Sequence, residues 1–258
     1  MEVNLFLQAG LGNQLFQLAA AYSYAKRFNM KLAIFDHGKK NYWNSLLRKF
    51  QPFLKSTPEP EWPKEGNFGY SAIEGTQFLR GFYQSHQYFN DDDIKDMFEF
   101  PEYATKAAQE YPLKENAVAV HIRRGDYVDP YFRGMYDVCG PNYWKAAIQR
   151  MRSLHPTCEF YVLSDDPEWC AAQSWFSQSD IHIVTIQDEV TTLCLMSRMR
   201  NLILCNSSFS WWAAWFSKKY NKEQTVIAPT RWYNHTIYDY NDIYEPDWIL
   251  INPDTIIE

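Results

Sequence analysis

The chain has 258 residues, 46% of them hydrophobic and 22% charged, with a net charge of -6; this is an ordinary globular composition, long enough for two small domains with separate cores. The acidic balance leaves no electrostatic footprint for a nucleic-acid partner. Five scattered cysteines without a Cys-x-x-Cys, and six histidines without a His-x-x-x-His, read as reduced thiols in a cytoplasmic setting and no zinc site.

The start, "MEVNLFLQAGLGNQ", lacks the basic end and unbroken apolar stretch of a signal peptide, and no apolar run approaches the roughly 20 residues of a spanning helix. Attachment to a membrane surface stays open. Residues 3–7 read as a strand, Gly10 and Gly12 break it, and Leu15, Leu18, Tyr22 and Ala25 then recur at helical spacing. Residues 31–35 are the next strand, which makes a β-loop-α-β start. Residues 38–115 are less regular. The stretch 56–67 holds three prolines and reads as loop, 78–89 is rich in aromatics, and Asn90 or Asp91 caps a short helix.

From residue 117 the alternation is clear. Strands are expected at Ala117–Ile122, 159–163, 182–186, 201–205 and 225–228, with helices at Pro141–Leu154, after Pro167, at 191–199 and at 211–219. Strand and helix in turn imply an α/β fold with parallel sheets, divided near residue 115. Aromatic residues reach 17%, and such rings serve sugar or nucleotide sites as well as cores.

Ligands of open parallel sheets bind beyond the carboxyl ends of strands, and four such loops carry unusual residues. The first is Gly10-Leu11-Gly12-Asn13-Gln14. Leu15 stands where a dinucleotide fingerprint needs its third glycine, so that site is rejected. The glycines let a backbone approach a ligand and the two amides suit sugar hydroxyls; a tight turn with a capped helix is the plainer alternative. The second is His121-Ile122-Arg123-Arg124-Gly125-Asp126. Paired guanidinium forks suit diphosphate oxygens, and fixed cations stabilise a leaving nucleoside diphosphate. Two solvated charges at a strand end are the alternative. The third, Ser164-Asp165-Asp166, offers carboxylates for sugar hydroxyls or a metal, or else a cap for the helix that Pro167 opens. The fourth, Asn206-Ser207-Ser208-Phe209-Ser210, places hydroxyls and N–H groups at a helix start, for an anion or for capping. Trp211, Trp212 and Trp215 read as core, and Asp91-Asp92-Asp93 as helix capping. P-loop and Gly-x-Ser-x-Gly motifs are absent.

The motifs "GLGNQLFQLAAAYSYA", "GFYQSHQYF", "HIRRGDYV", "FYVLSDDPEWC", "LILCNSSFSWWAAWFS" and "VIAPTRWY" follow one another across nearly the whole chain. Together they resemble the bacterial α-1,2-fucosyltransferases of glycosyltransferase family 11. The resemblance implies a GT-B-like fold, two Rossmann-like α/β domains with a cleft between them: 1–115 on the acceptor side and 116–258 binding GDP-fucose. It implies an inverting enzyme that moves L-fucose from GDP-β-L-fucose to the 2-hydroxyl of a terminal galactose on a glycan, with no cofactor and no obligatory metal. Its setting would be lipopolysaccharide or capsule synthesis, in the cytoplasm or peripheral at the inner membrane.

By the same resemblance Arg123 and Arg124 lie at the diphosphate, with His121 and Asp165 as further donor contacts. Asn206, Ser207, Ser208, Phe209 and Ser210 form the phosphate-side loop. Gly10, Gly12, Asn13 and Gln14 face the cleft. Inversion calls for a base on the acceptor hydroxyl; Asp126 is the first candidate and His121 the second, with orientation of an arginine as the other role for Asp126. Thr192 stands where many members carry an acid, which leaves Asp188 or Glu189 to read guanine, and His86 stands where many carry a charge. A non-catalytic nucleotide-sugar or glycan-binding protein on the same fold is the alternative.

Overall fold

The structure, a computed structural model, describes residues 1–56, 60–61, 75–221, 223–235 and 240–256. Most of the proline-rich 56–67 loop, and much of the 38–70 region, lies outside them. The chain forms two compact units, one of Met1–Pro101 with Ile237–Glu245 and one of Glu102–Thr236 with Pro246–Glu258.

In the first unit, β1 (Glu2–Ala9) alternates buried and half-buried residues, with Val3, Leu5 and Leu7 inward. Helix α1 (Leu11–Arg27) crosses to β2 (Lys31–Gly38), and the two-residue β3 (Phe78–Leu79) pairs with the other edge of β1. All pairs are parallel, in the order β2-β1-β3. Lys26 and Arg27 end α1, where cations complement the helix dipole. Asn90 caps α2 (Asp91–Ile94) by accepting the Asp92 N–H at 2.9 Å, the capping role expected of this stretch. His86 lies between two carboxylates, with Nε2 3.0 Å from Asp91 and Nδ1 2.9 Å from Glu245. Those hydrogen bonds push its pKa up to about 9, which favours the protonated imidazole at neutral pH.

The second unit begins with α3 (Glu102–Glu110) and β4 (Ala117–Ile122), followed by the short α4 (Arg133–Tyr136), α5 (Pro141–Leu154) and β5 (Glu159–Ser164). Then come α6 (Pro167–Ala171), β6 (Ile181–Ile183), α7 (Glu189–Ser197), β7 (Asn201–Ile203), α8 (Ser208–Tyr220), β8 (Thr225–Pro229) and β9 (Ile249–Ile251). Six parallel strands lie in the order β6-β5-β4-β7-β8-β9. Renumbered from β4, this is 3-2-1-4-5-6, the doubly wound order. β4 is buried along its whole length, as a central parallel strand must be. Val118, Val120 and Ile122 pack with Phe160, Tyr143 and Trp144 in the core.

The observed elements refine the sequence expectations. Pro141 opens α5 and Pro167 opens α6. α7 starts two residues earlier than read because Asp188, accepting the Thr191 N–H at 2.7 Å, is its cap. α8 starts at Ser208 because Ser207 is its cap. β6 stops at Ile183 instead of 186. β3 and β9 are too short for any periodic signal. The units divide after Pro101, earlier than the boundary near 115, because α3 packs against α7.

Candidate active site

The strand order reverses between β4 and β7, which are direct neighbours. The loops leaving these two strands therefore open at the switch point, where α/β sheets bind ligands. One loop carries His121 to Asp126, the other Asn206 to Ser210, and β5 beside β4 delivers Asp165 and Asp166. The four sequence loops thus reduce to three in one unit and one in the other.

The two arginines differ. Arg123 is closed on both sides: Nη2 donates to Asp126 Oδ1 at 2.8 Å, Nε to the same oxygen at 3.2 Å, and Nη1 lies 2.8 Å from Asp165 Oδ2. Arg124 donates through Nε to Asp166 Oδ2 at 3.0 Å, and its guanidinium lies 3.8 Å over the Trp169 ring. Its terminal Nη groups have no partner among the described residues, which leaves a fork edge for a ligand. The indole face holds the cation without neutralising it. Asp165 Oδ1 also accepts the Arg124 backbone N–H at 2.8 Å, and Asp166 caps α6 at the Trp169 N–H, 3.0 Å away. Of the two readings of the Ser-Asp-Asp loop the structure shows the helix cap, and its acids also hold the arginines, a role the sequence reading did not give them.

His121 is only 5% exposed. Its Nδ1 lies 2.6 Å from Ser210 Oγ and 3.4 Å from Cys205 Sγ, and its ring lies 5.0 Å from that of Phe209. Burial and the Arg123 charge push its pKa down to about 3, so it stays neutral. Burial pushes the Cys205 thiol up to about 12, which makes it inert. Asn206 is committed to structure: Nδ2 donates to the Tyr136 and Trp232 carbonyls, each at 2.9 Å. Ser207 caps α8 by accepting the Phe209 N–H at 3.3 Å. The N–H groups of Ser208 and Ser210 have no partner among the described residues, and the first turn of this 13-residue helix carries no acid. That end is ready for negative charge. Trp211 and Trp212 are buried, as expected of core residues.

In the first unit Gly10 is the N-cap of α1, which has no side-chain cap, and Gly12 lies buried inside the helix. Gln14 is buried and donates to the Ala9 carbonyl at 2.9 Å. Asn13 Oδ1 accepts from Gln84 at 2.7 Å. Gln14 therefore braces the turn, while the side-chain N–H donors of half-buried Asn13 have no partner among the described residues. Asp188, offered as a guanine reader, also accepts the Thr191 hydroxyl at 2.6 Å. A depression of about 230 Å³ lined by Ser23, Tyr24, Arg27 and Asp93 contains none of these residues.

Two residues escaped the sequence reading. Trp169 supports Arg124, and "SDDPEW" did carry it. Tyr127 donates its hydroxyl to the Asn206 carbonyl at 2.7 Å, which ties the arginine loop to the serine loop; the motif HIRRGDYV contains this tyrosine, but its spacing gives no signal of that contact.

No helix among the described residues is long and apolar enough to cross a membrane. The alpha-1,2-colitosyltransferase of Escherichia coli is 29% identical, over 95% of this chain and 97% of its own length. The human galactoside alpha-(1,2)-fucosyltransferase 1 is 27% identical over 53% of this chain and 39% of its own length. The fold resembles that of the NodZ alpha-1,6-fucosyltransferase from Bradyrhizobium, solved after soaking with GDP-fucose, with a TM-score of 0.54 at 14% identity over 82% of this chain and 91% of that one. The fold class is GT-B-like, built from two parallel α/β units. Residues 2–252 match the family described as Glycosyl transferase family 11, and the chain is a glycosyltransferase that belongs to this family.

Proposed function

We propose that this glycosyltransferase moves L-fucose from GDP-β-L-fucose to the 2-hydroxyl of a terminal galactose on a glycan, with inversion and without an obligatory metal or cofactor. The observation that carries the reading is the unpaired fork edge of Arg124 at the same switch point as the first turn of α8, where the Ser208 and Ser210 N–H groups have no partner among the described residues. In the step, the acceptor oxygen bonds to C1 of fucose while the bond from C1 to the phosphate oxygen breaks. GDP leaves with the electron pair, and the hydroxyl proton passes to a base. Charge develops on the diphosphate, and the Arg124 fork and the Ser208 and Ser210 N–H groups are the donors to meet it. Arg123 joins them by exchanging one carboxylate partner for a phosphate oxygen. Asp126 then orients Arg123 and is also the remaining candidate base, since His121 is buried, neutral and bonded to Ser210.

The colitosyltransferase among the relatives marks donor choice as the finer question, because colitose lacks the 3-hydroxyl of fucose. The proposed place of work is the cytoplasm, peripheral to the inner membrane, on glycans of lipopolysaccharide or capsule. The test is GDP release from GDP-fucose in EDTA, with and without lactose or N-acetyllactosamine, beside the same assay with GDP-colitose. Release that depends on acceptor and yields a 2-fucosylated product supports the reading. Release from GDP-colitose alone overturns the donor, and GDP binding without any turnover favours a binding protein.

A further inference from the structure

Among the described residues, most exposed large hydrophobic side chains are scattered singly. One group is not: Val128, Tyr131 and Phe132, at 38%, 86% and 40% exposure, lie within five residues of each other. They follow the Arg-Gly-Asp turn directly. Single exposed apolar residues need no explanation, but a cluster next to a candidate site does. We infer that the loop holding Tyr131, Phe132 and Asp129 is a sugar-binding subsite for the acceptor glycan. It would take a hexose ring beyond the one that receives the transferred sugar. This rests on the glycosyl-transfer reading above.

Four observations support it. The Tyr131 and Phe132 rings meet edge to face, with centroids 4.9 Å apart and planes at 88°, so together they form a corner of two ring faces. Phe132 lies against Tyr136, which stacks on Tyr127 at 5.2 Å and 19°. Tyr127 in turn bonds to the Asn206 carbonyl, which joins the corner to the candidate donor loop. The chemistry suits a sugar: an aromatic face takes the C–H face of a pyranose, and a nearby carboxylate accepts hydroxyls. Asp129 is exposed and uses Oδ1 for the Tyr131 N–H at 2.9 Å, with no partner for Oδ2 among the described residues.

Other occupants fit less well. Three side chains are far short of the roughly 800 Å² per partner of a stable dimer. Within residues 128–137 the charges are Asp129, Asp137 and Arg133, the last two paired at 3.1 Å, so the loop has no basic excess to draw it to an anionic bilayer.

The test compares the parent with Tyr131→Ala, Phe132→Ala and Tyr131→Phe. Acceptor KM is measured with lactose and with a longer galactose-terminated oligosaccharide, and GDP affinity by calorimetry. Saturation-transfer NMR reads glycan contact directly. The alanine variants should raise KM for the longer acceptor by about fivefold or more, as expected for losing one apolar ring face. Lactose should be affected less, GDP affinity should stay within about twofold, and Tyr131→Phe should restore binding. Equal KM and equal saturation transfer in all variants would overturn the subsite. So would a change of self-association on ultracentrifugation in step with the loss, which would identify a second copy as the occupant. If the parent binds GDP but no galactoside, the galactose reading fails first. A glycan array then decides: a glycan held by the parent and lost by Tyr131→Ala supports the subsite, and equal or absent binding overturns it.

Discussion

Gly125 leaves no room for a side chain. A Cβ there would lie 2.7 Å from Asp165 Oδ2 and 3.2 Å from Arg123 Cζ and Nη2. Gly125→Ala must therefore push Asp165 off Arg123, at a cost of about 1–2 kcal/mol. Urea denaturation should show that loss, together with weaker GDP binding; unchanged values for both would mean the turn relaxes freely. His121 makes a prediction in pH. Its folded pKa, about 3, lies below its ordinary value of 6.5. Between these limits the unfolded chain takes a proton that the folded chain refuses. Stability contributed by His121 is thus full above pH 6.5 and falls on acidification, by up to about 1.4 kcal/mol per pH unit. His121→Gln should flatten the urea-derived stability profile between about pH 4.5 and 6.5, and an unchanged slope would mean that another group governs it. At this scale the sequence was only half legible. Arg124 and the N–H groups of Ser208 and Ser210 lie in loops marked for a ligand and retain free donors, whereas Asn206, Gln14 and the Ser210 hydroxyl were marked by the same polar chemistry and serve their own backbone or a buried histidine. Residue type does not reveal which partner a polar group takes, because ligand and carbonyl compete for the same donor.

Elements were more legible where sequence carries punctuation. Ala117–Ile122 and Pro141–Leu154 match their expected bounds, since an apolar run ends at charge and a proline opens a helix. α8 was read three residues short because its serines signal both cap and ligand. That ambiguity gives a test. Ser207→Ala removes the cap and should lower stability by about 1 kcal/mol. Ser207→Asp preserves a capping oxygen yet sets an anion at the helix start, so it should hold stability but weaken GDP binding about tenfold or more. Equal GDP affinity in the aspartate variant would remove the α8 terminus from the donor site. In the first unit, residues 240–245 are held by His86 through Glu245 and by Gln87, whose Nε2 donates to Asp242 at 2.8 Å. The His86 pKa is raised to about 9, so its contribution is present below pH 6.5 and lost as pH rises through 9. His86→Ala should speed hydrogen exchange of 240–245 at neutral pH, and protease nicking of that stretch in the parent should rise above about pH 9. Exchange equal to the parent's would show that Gln87 suffices.

For the whole molecule, alternation of strand and helix was enough to give parallel α/β units, but not their strand order. The five strands read in this half of the sequence, Ala117–Ile122 among them, do not say which lie side by side; the switch between β4 and β7 comes from packing of the crossovers. The division after Pro101 was equally hidden, because α3 has only Ala104 and Ala108 as buried positions and its attachment to α7 is a tertiary choice. The division has a consequence for ligand linkage. Every group offered here to the diphosphate, Arg123, Arg124, Ser208 and Ser210, belongs to the second unit. Two units with separate cores need not melt together, and a ligand stabilises the unit whose folded state it binds, by about 2.7 kcal/mol at a hundredfold excess over Kd. GDP should therefore raise the calorimetric transition of the second unit and slow exchange in the loops after β4, β5 and β7. It should leave the core amides of β1 and α1 as they were. Protection that concentrates on the Gly10–Gln14 turn instead would move the diphosphate to the first unit, and the arginines would then be the surface pair that the sequence alone allowed.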